Sequence, residues 1–414
     1  MHSFLIFLLF FSLVSSASAH LHGEQASQKV FNTKSPENID PYRAVEHEEA
    51  YYGCSGYLRV GFIHTAQKTI DTSGSAFSGE LGCGYKLNQF IKGHVGVFGV
   101  LGTGLNPRHD ENIHGDFFNA HKNGYLLLGE AVLTLSYQDF EAHLGRQNFD
   151  SPHFDGDDLR MVANLFEAYL LDYHVNDAFY FGAGVIREAS GWENGGNASN
   201  FISIGEALGG QESEAWLSWA AYKEENMSAD AWFYFIPEHI AVLYGEFNYS
   251  QQLSPTMSYS FGFQYDWGQD VGAAHLGIIN AHTMGIMFAI SAYDFTLTAA
   301  FNQNFGQTGA MASVGGGPFF TSLEDQTLDA ITGDDTSSLL LSMEYAVTPS
   351  VSVGTAIGEF KAANKNEYHK QELNVFLNYS WNNKLTTELM YALIEDKNEL
   401  ASTHQVRSIL TYRY

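Results

Sequence analysis

Within Phe154-Asp155-Gly156-Asp157-Asp158, three carboxylates and a glycine fall in five residues, a set that could coordinate Ca²⁺ through oxygen ligands. The spacing and terminal Glu of an EF-hand are missing, so Asp155, Asp157 and Asp158 read better as a solvated acidic loop. No metal or cofactor is expected. His20 and His22 lie close enough to share a metal, but two His without a fixed third ligand are too few. Seventeen His with Asp and Ser scattered nearby could hold a hydrolase triad. No Ser stands in a G-x-S-x-G setting and no HExxH occurs, so catalysis is not expected. The only two cysteines, Cys54 and Cys83, flank a hairpin whose loop is expected near 65–75, which sets them nearly opposite each other. Parity agrees, since Cys54 shares a face with Leu58, Val60 and Phe62, and Cys83 with Phe77, Leu81 and Tyr85. An oxidising compartment would permit a disulfide between them, two buried free thiols being the alternative.

The elements that position such residues show a period of two rather than 3.6 from Gly56 onward. In Thr256–Trp267 the odd positions are Met257, Tyr259, Phe261, Phe263, Tyr265 and Trp267, and the even ones include Ser258, Ser260, Gly262, Gln264 and Asp266. The stretches around Leu373–Tyr379 and Leu385–Leu393 repeat the pattern. Composition suits a large continuous sheet: 40 Gly, 60 aromatic residues (31 Phe, 23 Tyr, 6 Trp) and only 8 Pro, which lacks the N–H a ladder needs. With 47 acids against 20 bases the net charge is −27, so nucleic acid is excluded as a partner. A hydrophobic share of 45% argues against disorder.

Residues 1–19 read as a secretory signal peptide, with an apolar run from Phe4 to Val14 and small residues to Ala19. That run is shorter than the about 20 residues a membrane-crossing helix needs, and no other stretch reaches that length. Residues 20–50, polar and without hydrophobic period, read as a flexible periplasmic arm. The remainder, 51–414, is expected to be one all-β domain. Short turn signals fall at Leu87–Gln89, Gln138–Asp139, Val175–Asp177, Glu225–Met227, Gln252–Pro255, Tyr293–Asp294, Thr348–Ser350 and Asn382–Lys384. Longer connections are expected at 103–124, 149–164, 187–213, 268–281 and 306–335. Eight turns join sixteen strands, and a first strand near 56–64 and a last at 403–414 make eighteen. Short turns at one end and long loops at the other are the pattern of a transmembrane antiparallel β-barrel of the bacterial outer membrane. The terminal alternation Val406, Ser408, Leu410, Tyr412, Tyr414 resembles the C-terminal signal read by barrel-assembly machinery, an expected partner through 406–414.

The stretch 129–171, GEAVLTLSYQDFEAHLGRQNFDSPHFDGDDLRMVANLFEAYLL, resembles the OprD-type outer-membrane porins in the form found in epsilon-class proteobacteria. GYLRVGFIHT with GELGCGYKL is similar to that family's first hairpin, and GGGPFFTSLEDQTLDA (315–330) to a late loop. The resemblance implies an eighteen-stranded pore unit whose third extracellular loop, here 149–164 with Asp155, Asp157, Asp158 and Arg160, folds inward as the constriction. Members that take basic amino acids or carboxylates carry an arginine ladder on the lumen wall, whereas this chain has eight Arg in all.

If apolar positions face lipid, the alternate positions face the lumen. Those include Glu80, Glu130, Glu167, Glu246, Asp266, Glu344, Glu372 and Glu388, against Arg59, Arg407 and, if Gly145 marks a bulge, Arg146. A cation-preferring diffusion channel for small hydrophilic solutes or cations is therefore expected, with Arg59, Arg146 and Arg160 as a basic side facing Asp157 and Asp158. A structural or adhesive surface barrel is the alternative. Eighteen strands enclose more space than side chains alone can fill, which favours the channel. Outer-membrane lipid and lipopolysaccharide are the expected surroundings, and the oligomeric state, a homo-trimer among the options, is left open.

Overall fold

The computed structural model describes residues 53–194 and 196–414. The expected signal peptide and polar arm lie outside the described residues. Eighteen wall strands follow one another: β1 Cys54–Ala66, β2 Asp71–Asn88, β3 Ile91–Gly102, β4 Tyr125–Tyr137, β5 Phe140–Gln147, β6 Leu165–His174, β7 Phe179–Ser190, β8 Ala215–Glu224 and β9 Met227–Ile236. They continue as β10 Ile240–Ser254, β11 Met257–Asp270, β12 Asn280–Ala292, β13 Phe295–Asn304, β14 Ser337–Thr348, β15 Val351–Lys361, β16 His369–Ser380, β17 Leu385–Asp396 and β18 Ala401–Arg413. Each pairs antiparallel with its sequence neighbours, and β1 also pairs with β18, from Tyr57 opposite Arg413 to Ala66 opposite His404. The sheet thus closes without an edge, as a wall in hydrocarbon must.

All eight expected turns lie at one end, together with the start of β1 and the end of β18. Several are closed by Asn side chains that mimic backbone: the Oδ1 of Asn176 accepts from the Ala178 and Phe179 N–H groups, and that of Asn382 from those of Lys384 and Leu385. At the other end the loops are unequal. Long ones cover 103–124, 148–164, 191–214 and 305–336, while 67–70, 237–239 and 397–400 are short. Two expected loops are shorter than the sequence suggested, 191–214 and 271–279, because β7, β11 and β12 extend into them.

Strand parity holds in the wall. Leu58, Val60 and Phe62 are 57%, 42% and 42% exposed, which in water would leave a long apolar stripe and in lipid buries it. Tyr57, Arg59, Ile63 and Thr65, between and beside them, point inward and are buried. The register sets Cys54 directly opposite Cys83, and a disulfide joins them, with Cα atoms 4.1 Å apart.

The interior is not evenly filled. On five consecutive strands, β6 to β10, the inward side chains are largely apolar, among them Phe166, Leu170, Ile186, Leu217, Trp219, Trp232, Tyr234 and Val242, with Asp172, Ser228, Glu246 and Asn248 as buried polar exceptions. Phe149 and Phe154 of loop 148–164, Ile204 of loop 191–214 and Met311 and Val314 of loop 305–336 pack against them. The inward faces from β15 through β18 to β1 are mixed instead, with Ser352, Glu372, Asn374, Asn378, Gln405, Arg407, Arg59 and Thr65 interspersed among buried apolar residues such as Phe360, Phe376, Met390 and Ile394.

Candidate functional site

Loop 148–164 crosses the lumen from the apolar side to the polar side, and its turns are built from its own acids. Asp150 Oδ1 accepts from the Gly156 N–H at 2.8 Å, and Asp155 Oδ1 from that of Asp157 at 2.8 Å. Asp157 takes the left-handed backbone region (φ 35°), where Asp is better tolerated than most residues. The loop then reaches β1: the Tyr57 hydroxyl and the Ser78 hydroxyl both donate to the Met161 carbonyl, at 3.3 and 2.8 Å. Gly61 leaves room for this crossing, since a Cβ there would lie 2.4 Å from Met161 Sδ.

Three arginines fasten the arrangement and are nearly inaccessible, Arg59 and Arg160 at 4% exposure and Arg407 at 3%. Arg59 grips Asp158 with two parallel bonds, Nη1 to Oδ1 and Nη2 to Oδ2, both 2.6 Å, and donates to the Arg160 carbonyl at 3.0 Å. Arg160 donates to Asp116 of loop 103–124 and to Glu324 of loop 305–336, each at 3.0 Å, while its guanidinium lies 4.4 Å from the Trp192 ring centre. Arg407 takes the remaining positions on Glu324, at 3.1 and 2.8 Å, and donates to the Leu159 carbonyl at 2.6 Å. One carboxylate thus ties two arginines from different elements. Burial alone would raise the Glu324 pKa, but Arg407 and Arg160 outweigh it and hold the carboxyl below its ordinary range. Asp116 is likewise held low against burial by Arg160.

A second tie binds loop 305–336 to the polar wall, where Glu372 accepts from the Asp325 and Gln326 N–H groups at 3.2 and 2.7 Å. Gln264 and Asn302 anchor its other limb: Gln264 donates to the Pro318 carbonyl at 2.8 Å and accepts from the Phe320 N–H at 3.1 Å. The loops also meet each other, with Phe154 and Val314 in a short parallel bridge.

Between these loops and the polar wall lies a cavity of about 620 Å³ at the loop end. Asp116, Asp157, Glu193, Glu324, Asp325 and Asp329 line it, against Arg160 and Lys370. Asp157 is pushed up to about 8 by burial and then by the neighbouring Glu193 charge. Glu193 rises to about 7, through burial and then the Asp155 charge, although Asn164 donates to it at 2.8 Å.

Elsewhere on the lumen wall, Glu246 accepts from Tyr244 and from Asn248, and Asp266 lies 3.3 Å from His153 of loop 148–164. Glu80 and Glu130 meet at His94. Glu344 and Glu388 face inward half-buried from β14 and β17. Among the described residues none of these seven carboxylates, Glu372 included, forms an ion pair with Lys or Arg; Glu130 and Asp266 pair only with His.

Two assignments from sequence parity are corrected. Glu167 shares its face with Tyr169 and Leu171, both exposed on the lipid side, and its Oε1 accepts from the Tyr169 hydroxyl. Arg146, directly opposite in register, pairs with Glu167 there at 3.3 Å, and Arg187, 57% exposed, approaches the same carboxylate at 3.5 Å. Gly145 does adopt a positive φ of 122°, but β5 keeps its register with both neighbours, so Arg146 is not turned into the lumen. The irregularity lies one strand on, where β7 carries the extra residue Arg187 between the pairs Glu167–Glu188 and Ala168–Ile186. A basic side facing Asp157 and Asp158 is also not what the geometry forms, because Arg59 binds Asp158 directly. The Ca²⁺ reading of Asp155, Asp157 and Asp158 does not fit either: both Asp158 oxygens are on Arg59, while Asp155 turns to Gly315 and Gly316. Glu324, Asp116, Trp192 and His94 were not singled out from sequence, although Glu324 sits inside the GGGPFFTSLEDQTLDA stretch.

Residues 101–349 match the family described as outer membrane porin, OprD family. Among solved structures, the outer membrane protein OpdK of Pseudomonas aeruginosa is similar at TM-score 0.76 and 15% identity, covering 87% of this chain and 98% of that one. OccAB1 of Acinetobacter baumannii gives TM-score 0.74 at 15% identity, over 87% and 96%. A BenF-like porin of Pseudomonas fluorescens gives 0.75 at 12%, over 87% and 98%. No curated protein matches by sequence.

Proposed function

This chain belongs to the OprD family of outer membrane porins, channels for small solutes, and from that premise we propose that it is a diffusion channel of the Gram-negative outer membrane that prefers cations. One observation carries the preference: Arg59, Arg160 and Arg407 are each already committed to a carboxylate, whereas the part-exposed wall glutamates Glu80, Glu130, Glu344 and Glu388 have no Lys or Arg ion-pair partner among the described residues. Arg59, Arg160 and Arg407 therefore position loops rather than offer free positive charge to a passing anion. Carboxylates around a narrow aqueous passage raise the local cation concentration and repel anions. The solved structure of OpdK with vanillate shows a neighbour of this fold holding a carboxylate compound. Here Arg59, Arg160 and Arg407 are already paired with carboxylates and offer such an anion no free guanidinium.

The loops leave room for small hydrophilic solutes at the polar side and close the apolar side. Swelling of proteoliposomes in neutral sugars of increasing size, together with conductance of the purified protein in a planar bilayer, tests the channel itself. Stepwise conductance and swelling with small sugars are the expected results. Absence of both in protein that migrates as a folded barrel would leave a structural or adhesive role.

A further inference from the structure

We propose that Glu80, His94 and Glu130 form a binding site for a divalent transition-metal ion on the lumen wall. The three come from adjacent strands, β2, β3 and β4, and their nearest ligand atoms all lie within 4.8 Å of one another. His94 Nε2 stands 2.9 Å from Glu130 Oε2. The site is built into the backbone rather than assembled from loose surface side chains. Gly82 and Gly96 face each other in register beneath it. A Cβ on Gly82 would lie 2.9 Å from His94 Nε2 and 3.1 Å from Glu80 Oε1, and one on Gly96 would lie 2.6 Å from Glu130 Oε2. The two glycines thus form the floor of a cradle that any side chain would fill.

A bulge supplies the third ligand. Leu126 and Leu128 of β4 are exposed to lipid, and plain alternation would put Glu130 beside them. The register shift, which pairs Glu130 with Gly96 and Leu128 with Val97, leaves Gly129 as the extra residue and turns Glu130 inward.

One imidazole and two carboxylates suit Zn²⁺ and its first-row neighbours, whose bonds to N and O run about 2.0–2.2 Å and which can keep water in open positions. Ligand atoms of such a site stand about 3.4 Å apart, so separations that now reach up to 4.8 Å must close while the 2.9 Å His94–Glu130 contact opens slightly. Mg²⁺ and Ca²⁺ take oxygen ligands and gain little from His. The competing occupant is a proton on His94 shared between the two carboxylates.

The site lies close to the Arg59–Asp158 clasp and toward the turn end, since Glu80 pairs with Tyr57 and Ser78 with Arg59. An ion that has passed the loops would meet it before leaving. Binding itself does not depend on the channel reading, but the expected effect on current does.

The test uses the full-length purified protein in detergent. Titration calorimetry with ZnCl₂ should show a site that His94→Gln weakens at least tenfold and that excess Mg²⁺ does not displace. Gly96→Ala, which keeps all three ligands and only fills the cradle, should weaken it as well. In a bilayer, Zn²⁺ added from the turn side should reduce the monovalent current of the native protein and spare His94→Gln. Zn²⁺ affinity unchanged in both variants, with the barrel folded, would overturn the proposal, as would equal competition by Mg²⁺. A protein that conducts without Zn²⁺ binding at this site refutes the site alone. One that binds Zn²⁺ there but does not conduct refutes the channel and leaves the site standing.

Discussion

The two sides of the lumen solve the same problem with opposite chemistry. From β6 to β10 the inward side chains are largely aromatic and aliphatic, and three loops fold onto them as an apolar core. From β15 round to β1 polar and charged side chains are interspersed among the apolar ones, and the loops are tied to that wall by Arg59 on Asp158 and Arg407 on Glu324, with Arg160 joining Asp116 to Glu324. An apolar contact is non-directional and closes space. A buried ion network fixes position and, once its charges are paired, leaves selectivity to the acids around it. The cavity lies on the polar side, where stability and selectivity are linked, whereas the apolar side contributes to stability alone.

Breaking the shared carboxylate should have the largest effect. Glu324→Gln leaves Arg407 and part of Arg160 buried without an anionic partner, a loss of about 3–5 kcal/mol for a broken buried pair. Thermal unfolding in detergent should shift down, and the cation preference should fall because positive charge is released at the cavity. If neither moves, the network does not hold the loops. Trp219→Ala on the opposite side should cost a comparable about 3–5 kcal/mol through the cavity it opens beside Trp232, yet leave the reversal potential unchanged. A shift in selectivity there would erase the proposed division.

A smaller effect follows from pH. Asp157 is pushed up to about 8 and Glu193 to about 7, so both are largely protonated on the acid side and gain negative charge as pH rises. The permeability ratio of K⁺ to Cl⁻ should climb between about pH 6 and pH 9, and Asp157→Asn should flatten most of that climb. A ratio that falls with pH would show that these two groups do not face the conducting path. The smallest effect is expected at Arg146→Gln, whose partner Glu167 lies on the lipid side; reversal potentials should match the native protein.

Strand number, turn positions and the facing of most wall residues were legible because a one-residue slip would expose an entire apolar face. The failure at Arg146 and Glu167 has a local cause: near the loop end of β5 and β6 the lipid face carries charge, so polarity no longer marks the lumen. The apolar side could have been read. In Ala231-Trp232-Phe233-Tyr234-Phe235-Ile236 the alternation lapses into a continuous apolar run, as it must where one face meets lipid and the other an apolar interior. Glu324 and Asp116 could not be placed, because their partners lie 83 and 44 residues away along the chain and loops carry no period.

The most direct measurement is the reversal potential of the purified protein across a KCl gradient, taken at low and at high mean salt. A cation-selective potential near 0.1 M that fades toward 1 M is the predicted result, since the Debye length contracts from about 10 Å to about 3 Å. An anion-selective potential, or one indifferent to salt, would contradict an acidic lumen whose arginines are already paired.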